Sequence, residues 1–224
     1  MSEAPRDLPA PRQPIFNAPP GALWTCGALV LFHLLFVLAG PAWQETALRA
    51  LAFIPARFLA LFAAQGPAFS VREFVPLVGH AFLHADIAHL LLNASLLLAF
   101  GSAVERRLGS LRFGIVFAAA AAAGALAELT AGYTQPVYVI GASDAVYGMM
   151  GAAIPIMFRA GLPARRRRAL EFIAVIMALN LVVAALGLGD VLAGAEIAWR
   201  AHIGGFLAGL LLGFALAPRR PEYL

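Results

Sequence analysis

Four polar side chains lie in stretches of the chain that are otherwise apolar, and together they have the chemistry of acyl transfer. His89 and Asn93 are four residues apart and therefore share one face of a helix. Ser143 begins one apolar stretch, and His202 lies near the start of another. A serine nucleophile needs a base to take its proton and hydrogen-bond donors to hold the developing oxyanion. We therefore predict Ser143 as nucleophile, His202 as base and His89 with Asn93 as oxyanion donors, a set that requires no metal or organic cofactor.

Each of these residues also has a simpler structural explanation. A serine at the start of a helix is a common cap, and histidine or asparagine can tie two helices together by a hydrogen bond. His80 and His84 precede the second apolar stretch, and we expect them to stabilise a loop. A metal site of His80, His84 and His89 is an alternative, but these spacings do not share one helix face cleanly, and no carboxylate or cysteine completes the set.

The composition identifies the elements that must position these residues. Of the 224 residues, 62% are hydrophobic and only 12% are charged, and the mean hydropathy is +0.83. This composition excludes a soluble globular domain. Six apolar stretches are each near the length that crosses the hydrocarbon core of a bilayer. We predict an all-α membrane protein, a six-transmembrane-helix bundle with spans at about 22–40, 86–103, 112–130, 141–158, 169–188 and 199–217.

The segment 41–79 does not fit a spanning helix. Its apolar part, 47–63, is interrupted by Arg49, Pro55 and Arg57, so we predict a long first loop with helical turns in the membrane interface. The proline-rich residues 1–20 are expected to form a disordered cytoplasmic tail, residues 21–218 the membrane domain, and residues 219–224 a short cytoplasmic tail.

All 16 basic residues are arginines, and their distribution predicts the orientation of the helices. With six spans and an inner N-terminus, 12 arginines lie inside and four outside, as the positive-inside rule requires. The run Arg165–Arg168 then belongs to an inner loop and is not a nucleic-acid site. These features favour a bacterial inner membrane with both termini in the cytoplasm. The inner halves of the spans are almost entirely apolar, which argues against a transporter or channel.

Glycines explain how the helices with Ser143 and His202 could meet. Gly205 and Gly209 are four residues apart and form a small face on the last span. Such a face lets two helix backbones approach closely, here at Gly148 and Gly151 of the fourth span.

At these positions the chain resembles the rhomboid family of intramembrane serine proteases. The patterns that carry the resemblance occur in family order over about 74–217, and their combination is far more specific than any one of them. They are His84-x4-His89-x3-Asn93, Gly141-x-Ser143 and Ala201-His202-x-x-Gly205.

The resemblance implies a Ser143–His202 dyad without a third acid. It also implies an oxyanion site built from the Ser143 amide, His89 and Asn93, with Tyr147 packing against the His202 ring. The implied activity is endopeptidase cleavage in or near a transmembrane segment of another membrane protein, within a lipid bilayer.

One residue departs from the family pattern, which usually has glycine directly after the serine. Here Asp144 occupies that position. Its carboxylate could oppose the oxyanion, face water as part of the helix cap, or assist His202. The alternative function is therefore a catalytically inactive rhomboid-like protein that binds client transmembrane helices. The sequence does not indicate the oligomeric state.

Overall fold

The computed structural model describes residues 18–63, 70–133, 135–159, 163–187 and 198–218. These residues form an all-helical bundle, in which the only strand-like pairing described is an isolated antiparallel bridge between Phe53 and Val139. The predicted terminal tails fall almost entirely outside the described residues. The helices are α1 (Pro20–Leu38), α2 (Pro41–Leu51), α3 (Pro55–Ala63), α4 (Pro76–Gly79), α5 (Ile87–Leu96), α6 (Ser102–Leu108), α7 (Ser110–Ala127), α8 (Ser143–Arg159), α9 (Pro163–Ala185) and α10 (Trp199–Leu216).

Five helical segments of the described chain are long and apolar enough to cross a membrane. One of them joins α5 to α6 through a π-helical turn, Leu97–Gly101. The fourth predicted stretch, 141–158, corresponds to α8, which has 17 residues and lies mostly buried among the other helices. Five of the six predicted spans thus correspond to candidate membrane-spanning segments, and the remaining span stays a prediction. The five segments are Pro20–Leu38, Ile87–Leu108, Ser110–Ala131, Arg166–Ala185 and Trp199–Leu216.

The outer surface of the bundle is apolar. Large aliphatic and aromatic side chains point away from the core at helical spacing, such as Leu207, Leu211 and Phe214 on α10. Helices satisfy their own backbone hydrogen bonds, so an apolar exterior of this kind suits a lipid environment. The chain is therefore built as an integral membrane protein.

The first loop consists of short helices, as the sequence predicted. Helices α2 and α3 are 11 and nine residues long, too short to span a bilayer. The chain between them runs beside the segment that precedes α8, where Phe53 and Val139 exchange backbone hydrogen bonds of 3.1 and 2.9 Å. This pairing connects the first loop to the chain that leads into Ser143.

Helix α8 packs directly against α10 through backbone contact. A Cβ atom added at Gly209 would overlap the backbone of Gly148, and one added at Gly205 would overlap the backbone of Asp144. At the other end of the pair, the guanidinium of Arg159 donates to the backbone oxygens of Phe214 and Ala217 and so caps α10. The close approach predicted from the glycines is present along the whole pair.

Two buried glutamates fix the starts of helices. Glu105 accepts hydrogen bonds from the backbone amides of Gly21 and Ala22 at 2.8 and 2.7 Å, in the first turn of α1. Glu128 accepts from the amide of Ala201 at 2.8 Å, in the first turn of α10. A carboxylate at a helix N-terminus accepts hydrogen bonds from unpaired backbone amides and interacts favourably with the helix dipole. Glu128 thereby fixes the first turn of α10 at Ala201, the residue directly before His202.

Candidate active site

Ser143 and His202 are hydrogen-bonded to each other. Ser143 begins α8, His202 lies in the first turn of α10, and the distance from Ser143 Oγ to His202 Nε2 is 2.7 Å. His202 is 9% exposed, so its ring is held inside the bundle. The arrangement is that of a hydroxyl nucleophile with a base in reach of its proton.

The second ring nitrogen of His202 has a partner that the sequence analysis missed. Asn180 Oδ1 lies 2.6 Å from His202 Nδ1, and Asn180 is itself buried. The signal that could have found this residue is an asparagine within the apolar stretch of α9, because polar side chains in such stretches usually face the protein interior.

Tyr147 stacks on the His202 ring, as the family resemblance implies. The two rings are parallel to within 3°, and their centroids are 4.4 Å apart. Tyr147 lies one helical turn after Ser143, so α8 supplies both the hydroxyl and the surface that fixes the plane of the imidazole. His202 is thus held at one face and at both nitrogens.

Gly141 allows a histidine to approach the loop before Ser143. Its backbone has φ of +114°, a conformation that favours glycine. A Cβ atom at this position would lie 2.6 Å from Cε1 and 2.7 Å from Nε2 of His89. The glycine is therefore required twice, for the backbone conformation and for the contact with His89.

His89 and Asn93 occupy the same side of α5. Asp86 caps the helix by accepting from the His89 amide at 2.8 Å, and Asn93 Nδ2 donates to the His89 carbonyl oxygen at 3.0 Å. An amide nitrogen carries two hydrogens, so this bond uses only one of them. The His89 ring thus lies against the nucleophile loop, with Asn93 one turn further along the helix.

Asp144 does not face water, and the described contacts do not join it to His202. It is 1% exposed, and its Oδ2 atom lies 2.8 Å from Nε2 of His80. His80 Nδ1 lies 2.7 Å from the carbonyl oxygen of Pro76, which can only accept. Because Nδ1 must donate, its hydrogen is not available to Nε2. A hydrogen bond between Nε2 and the Asp144 oxygen therefore requires a second proton. The pair is neutral as a unit. The alternative in which Asp144 faces water is wrong, although its Oδ1 atom accepts from the Ala145 amide at 2.7 Å in the first turn of α8.

His80 and His84 hold the loop that leads into α8, as predicted from their position. The Gly141 amide donates to the His80 carbonyl oxygen at 3.0 Å, and the Ala142 amide approaches His84 Nε2 at 3.5 Å. Burial, with the nearby His89 and His33 rings, lowers the pKa of His84 to about 3. His84 is therefore neutral at ordinary pH, as an acceptor of the Ala142 amide must be. Within the described part of the chain, no three histidine, cysteine or acidic residues are grouped as metal ligands.

A comparison with known protein families finds a match over the part of the chain that carries the site. The model of the Rhomboid domain matches residues 71–219, which include every residue of the candidate site. The chain belongs to the rhomboid family. Family membership covers helices α4 to α10 and leaves α1 to α3 outside the match.

Curated relatives come from plants and bacteria. RHOMBOID-like protein 4 of Arabidopsis thaliana is 36% identical over 143 residues, which are 63% of this chain and 34% of the relative. Rhomboid protease GluP of Bacillus subtilis is 29% identical over 188 residues, 84% of this chain and 33% of GluP. The putative rhomboid protease YdcA of the same organism is 28% identical over 151 residues, 66% of this chain and 70% of YdcA. The chain spans about a third of the length of the first two.

Proposed function

We propose that this protein is an intramembrane serine endopeptidase that cleaves peptide bonds in or near transmembrane segments of other membrane proteins. The observation that carries the proposal is the 2.7 Å hydrogen bond between Ser143 Oγ and His202 Nε2 inside an apolar helical bundle. Membership of a family that includes proteins named as proteases supports it.

The reaction follows from the two side chains. Ser143 Oγ attacks the carbonyl carbon of the scissile peptide while His202 Nε2 takes its proton, which gives a tetrahedral oxyanion. The Ser143 amide, His89 and Asn93 are the proposed donors to that oxygen. Collapse of the intermediate breaks the C–N bond, and His202 gives its proton to the leaving amine. Water, deprotonated by His202, then attacks the acyl-enzyme and releases the new carboxyl group with Ser143 restored.

The proposed substrates are membrane proteins because the site lies between helices whose outer faces are apolar. Ser143 begins its helix, and His202 lies three residues into its own, a depth on the order of 5 Å at 1.5 Å per residue. Hydrolysis requires water to reach that depth. From the arginine distribution we further propose that both termini lie in the cytoplasm of a bacterial cell and that the site opens toward the outer side.

The decisive experiment is reconstitution of the full chain in liposomes with a transmembrane substrate whose helix is destabilised near its outer end. We expect cleavage by the wild type and none by Ser143→Ala. Cleavage by both proteins would contradict the proposed role of Ser143 as nucleophile. A fluorophosphonate probe provides a second measurement, since only an activated serine should be labelled. A wild type that neither cleaves nor labels, but binds the substrate helix, would be an inactive client-binding protein.

The orientation is tested separately with topology reporters. A reporter fused after Leu224 or inserted within Arg165–Arg168 should be cytoplasmic, and one inserted at Gln65 should lie outside. Reporters at Gln65 and Arg166 on the same side of the membrane would contradict the proposed arrangement.

A further inference from the structure

Helix α9 contributes a single polar side chain to its apolar stretch. From Phe172 to Ala185 every residue is apolar except Asn180. Its neighbours Leu179 and Leu181 are exposed on the outer surface, whereas Asn180 is 6% exposed and faces α10. Asparagine is a poor helix former and is costly in an apolar span, so a polar side chain here indicates a hydrogen-bond partner inside the bundle.

That partner is His202. Asn180 Oδ1 lies 2.6 Å from His202 Nδ1, and Asn180 Nδ2 is buried with no hydrogen-bond partner among the described residues. The carbonyl end of the amide is therefore the end engaged in the described structure. A third helix is thereby joined to the Ser143–His202 pair, since Ser143 lies on α8 and His202 on α10.

The bond selects the form of the imidazole that a general base requires. A carbonyl oxygen can only accept, so a proton resides on His202 Nδ1 and leaves Nε2 free to accept from the Ser143 hydroxyl. When Nε2 takes the serine proton, the ring becomes a cation with Nδ1–H still directed at the oxygen of Asn180. An amide in the opposite orientation would place the proton on Nε2, and His202 could not act as the base.

We propose that Asn180 is a positioning residue that holds His202 in its Nδ1–H form and stabilises the imidazolium that forms during acyl transfer. The proposal rests on the proposed protease function and extends the Ser143–His202 dyad to a third helix. The third group is an amide and not an acid, as in proteases of the Cys–His–Asn type.

The kinetic test uses variants of similar shape in the reconstituted full chain. Asn180→Leu should lower kcat about 10- to 100-fold and change KM by less than about twofold, because the lost contact acts on the base and not on substrate binding. Asn180→Asp keeps an acceptor oxygen at the same place and should stay within about fivefold of the wild type. Wild-type kcat in Asn180→Leu, or equal losses in both variants with the fold retained, would overturn the proposal.

Two variants of α9 serve as matched controls. Leu179→Ala removes an exposed neighbour of Asn180, and Val183→Ala removes buried packing one turn away on the same helix. Both should leave kcat unchanged. A loss in Val183→Ala equal to that in Asn180→Leu would show that packing of α9, and not the hydrogen bond, controls the rate.

A spectroscopic measurement separates this proposal from the protease function. In protein with nitrogen-15-labelled histidine, NMR of the ring nitrogens reports which one is protonated, and the His202→Phe variant identifies the His202 signals. We expect Nδ1–H in the wild type and a mixture of both forms in Asn180→Leu. Nε2–H in the wild type, or the same form in both proteins, would overturn the positioning role. This result is obtained even if the wild type cleaves nothing, in which case the protease function alone fails.

Discussion

Ser143 and Asp144 follow one another at the start of α8, and each is hydrogen-bonded to a histidine Nε2 at nearly the same distance. Ser143 Oγ lies 2.7 Å from His202 on α10, and Asp144 Oδ2 lies 2.8 Å from His80 in the turn before α5. In both pairs Nδ1 is bonded to an oxygen of carbonyl type, from Asn180 and Pro76. Two neighbouring residues thus have histidine partners of the same geometry and face different parts of the bundle.

The difference between the pairs is the number of protons. The Ser143 hydroxyl donates its hydrogen to Nε2 of a neutral His202, and this is the proton that His202 can take during the reaction. An ionised carboxylate has no hydrogen to donate, so the hydrogen bond between Asp144 and His80 needs one additional proton. With that proton bound, the net charge of the pair is zero. The first pair is suited to chemistry, and the second is suited to holding the loop before α8 in place without a net charge near the site.

The largest expected effect comes from breaking the first pair. Ser143→Ala, His202→Ala and the double variant should each lower kcat/KM at least about 1000-fold and to the same level, because residues that act as one unit do not have additive effects. Cleavage of a transmembrane substrate in liposomes measures this, with thermal unfolding as the control for the fold. Substantial residual cleavage in His202→Ala would point to another base.

A smaller loss is expected at Asn93, which belongs to neither pair. Asn93→Ala should lower kcat about 10- to 1000-fold, since the Ser143 amide and His89 would still support the oxyanion. Labelling of Ser143 by a fluorophosphonate probe should be weakened less than by His202→Ala. If Asn93→Ala cleaves at the wild-type rate, the amide only ties the helix through its bond to the His89 carbonyl oxygen.

Breaking the second pair should affect stability more than activity. Asp144→Gly leaves His80 Nε2 without a partner and opens space beside Gly124, so we expect a loss of about 3 kcal/mol in the free energy of unfolding. Asp144→Asn can donate to a neutral His80 Nε2 and should lose less than about 1 kcal/mol. Both should cleave within a few-fold of the wild type. A large rate increase in Asp144→Gly would instead mean that the carboxylate opposes the oxyanion.

The sequence predicts the elements of this fold well and the side-chain partners only in part. Periodic apolar stretches and the glycines of α8 and α10 carry enough information for helix positions and helix contact. The Ser143–His202 contact was predicted because both residues begin helices that such glycines bring together. The apolar stretch around Asn180 indicates that this side chain faces the interior, but it does not indicate the partner. The contacts of His202 with Asn180 and of Asp144 with His80 depend on how α9 and a turn are placed around α8, and no local pattern in the chain predicts that placement.

The smallest expected effect is a dependence of stability on pH that only the second pair produces. Burial alone lowers the pKa of His80, but the charge of Asp144 and the hydrogen bonds to Asp144 and Pro76 outweigh it, so the pKa of His80 is raised above its ordinary value of 6.5. A raised pKa in the folded state stabilises the protein fully below about pH 6.5, and this stabilisation is lost as the pH rises through the folded value. The free energy of unfolding in detergent should therefore fall as the pH rises above about 6.5, by at most about 1.4 kcal/mol per pH unit, and level off above the folded-state pKa of His80. His84, whose pKa is lowered to about 3, is neutral above pH 6.5 and does not contribute. Asp144→Asn should make the profile flat, because its pair with His80 needs no additional proton. Equal slopes in the wild type and in Asp144→Asn would mean that no shared proton is bound between His80 and Asp144, and the contrast between the two pairs would have to be abandoned.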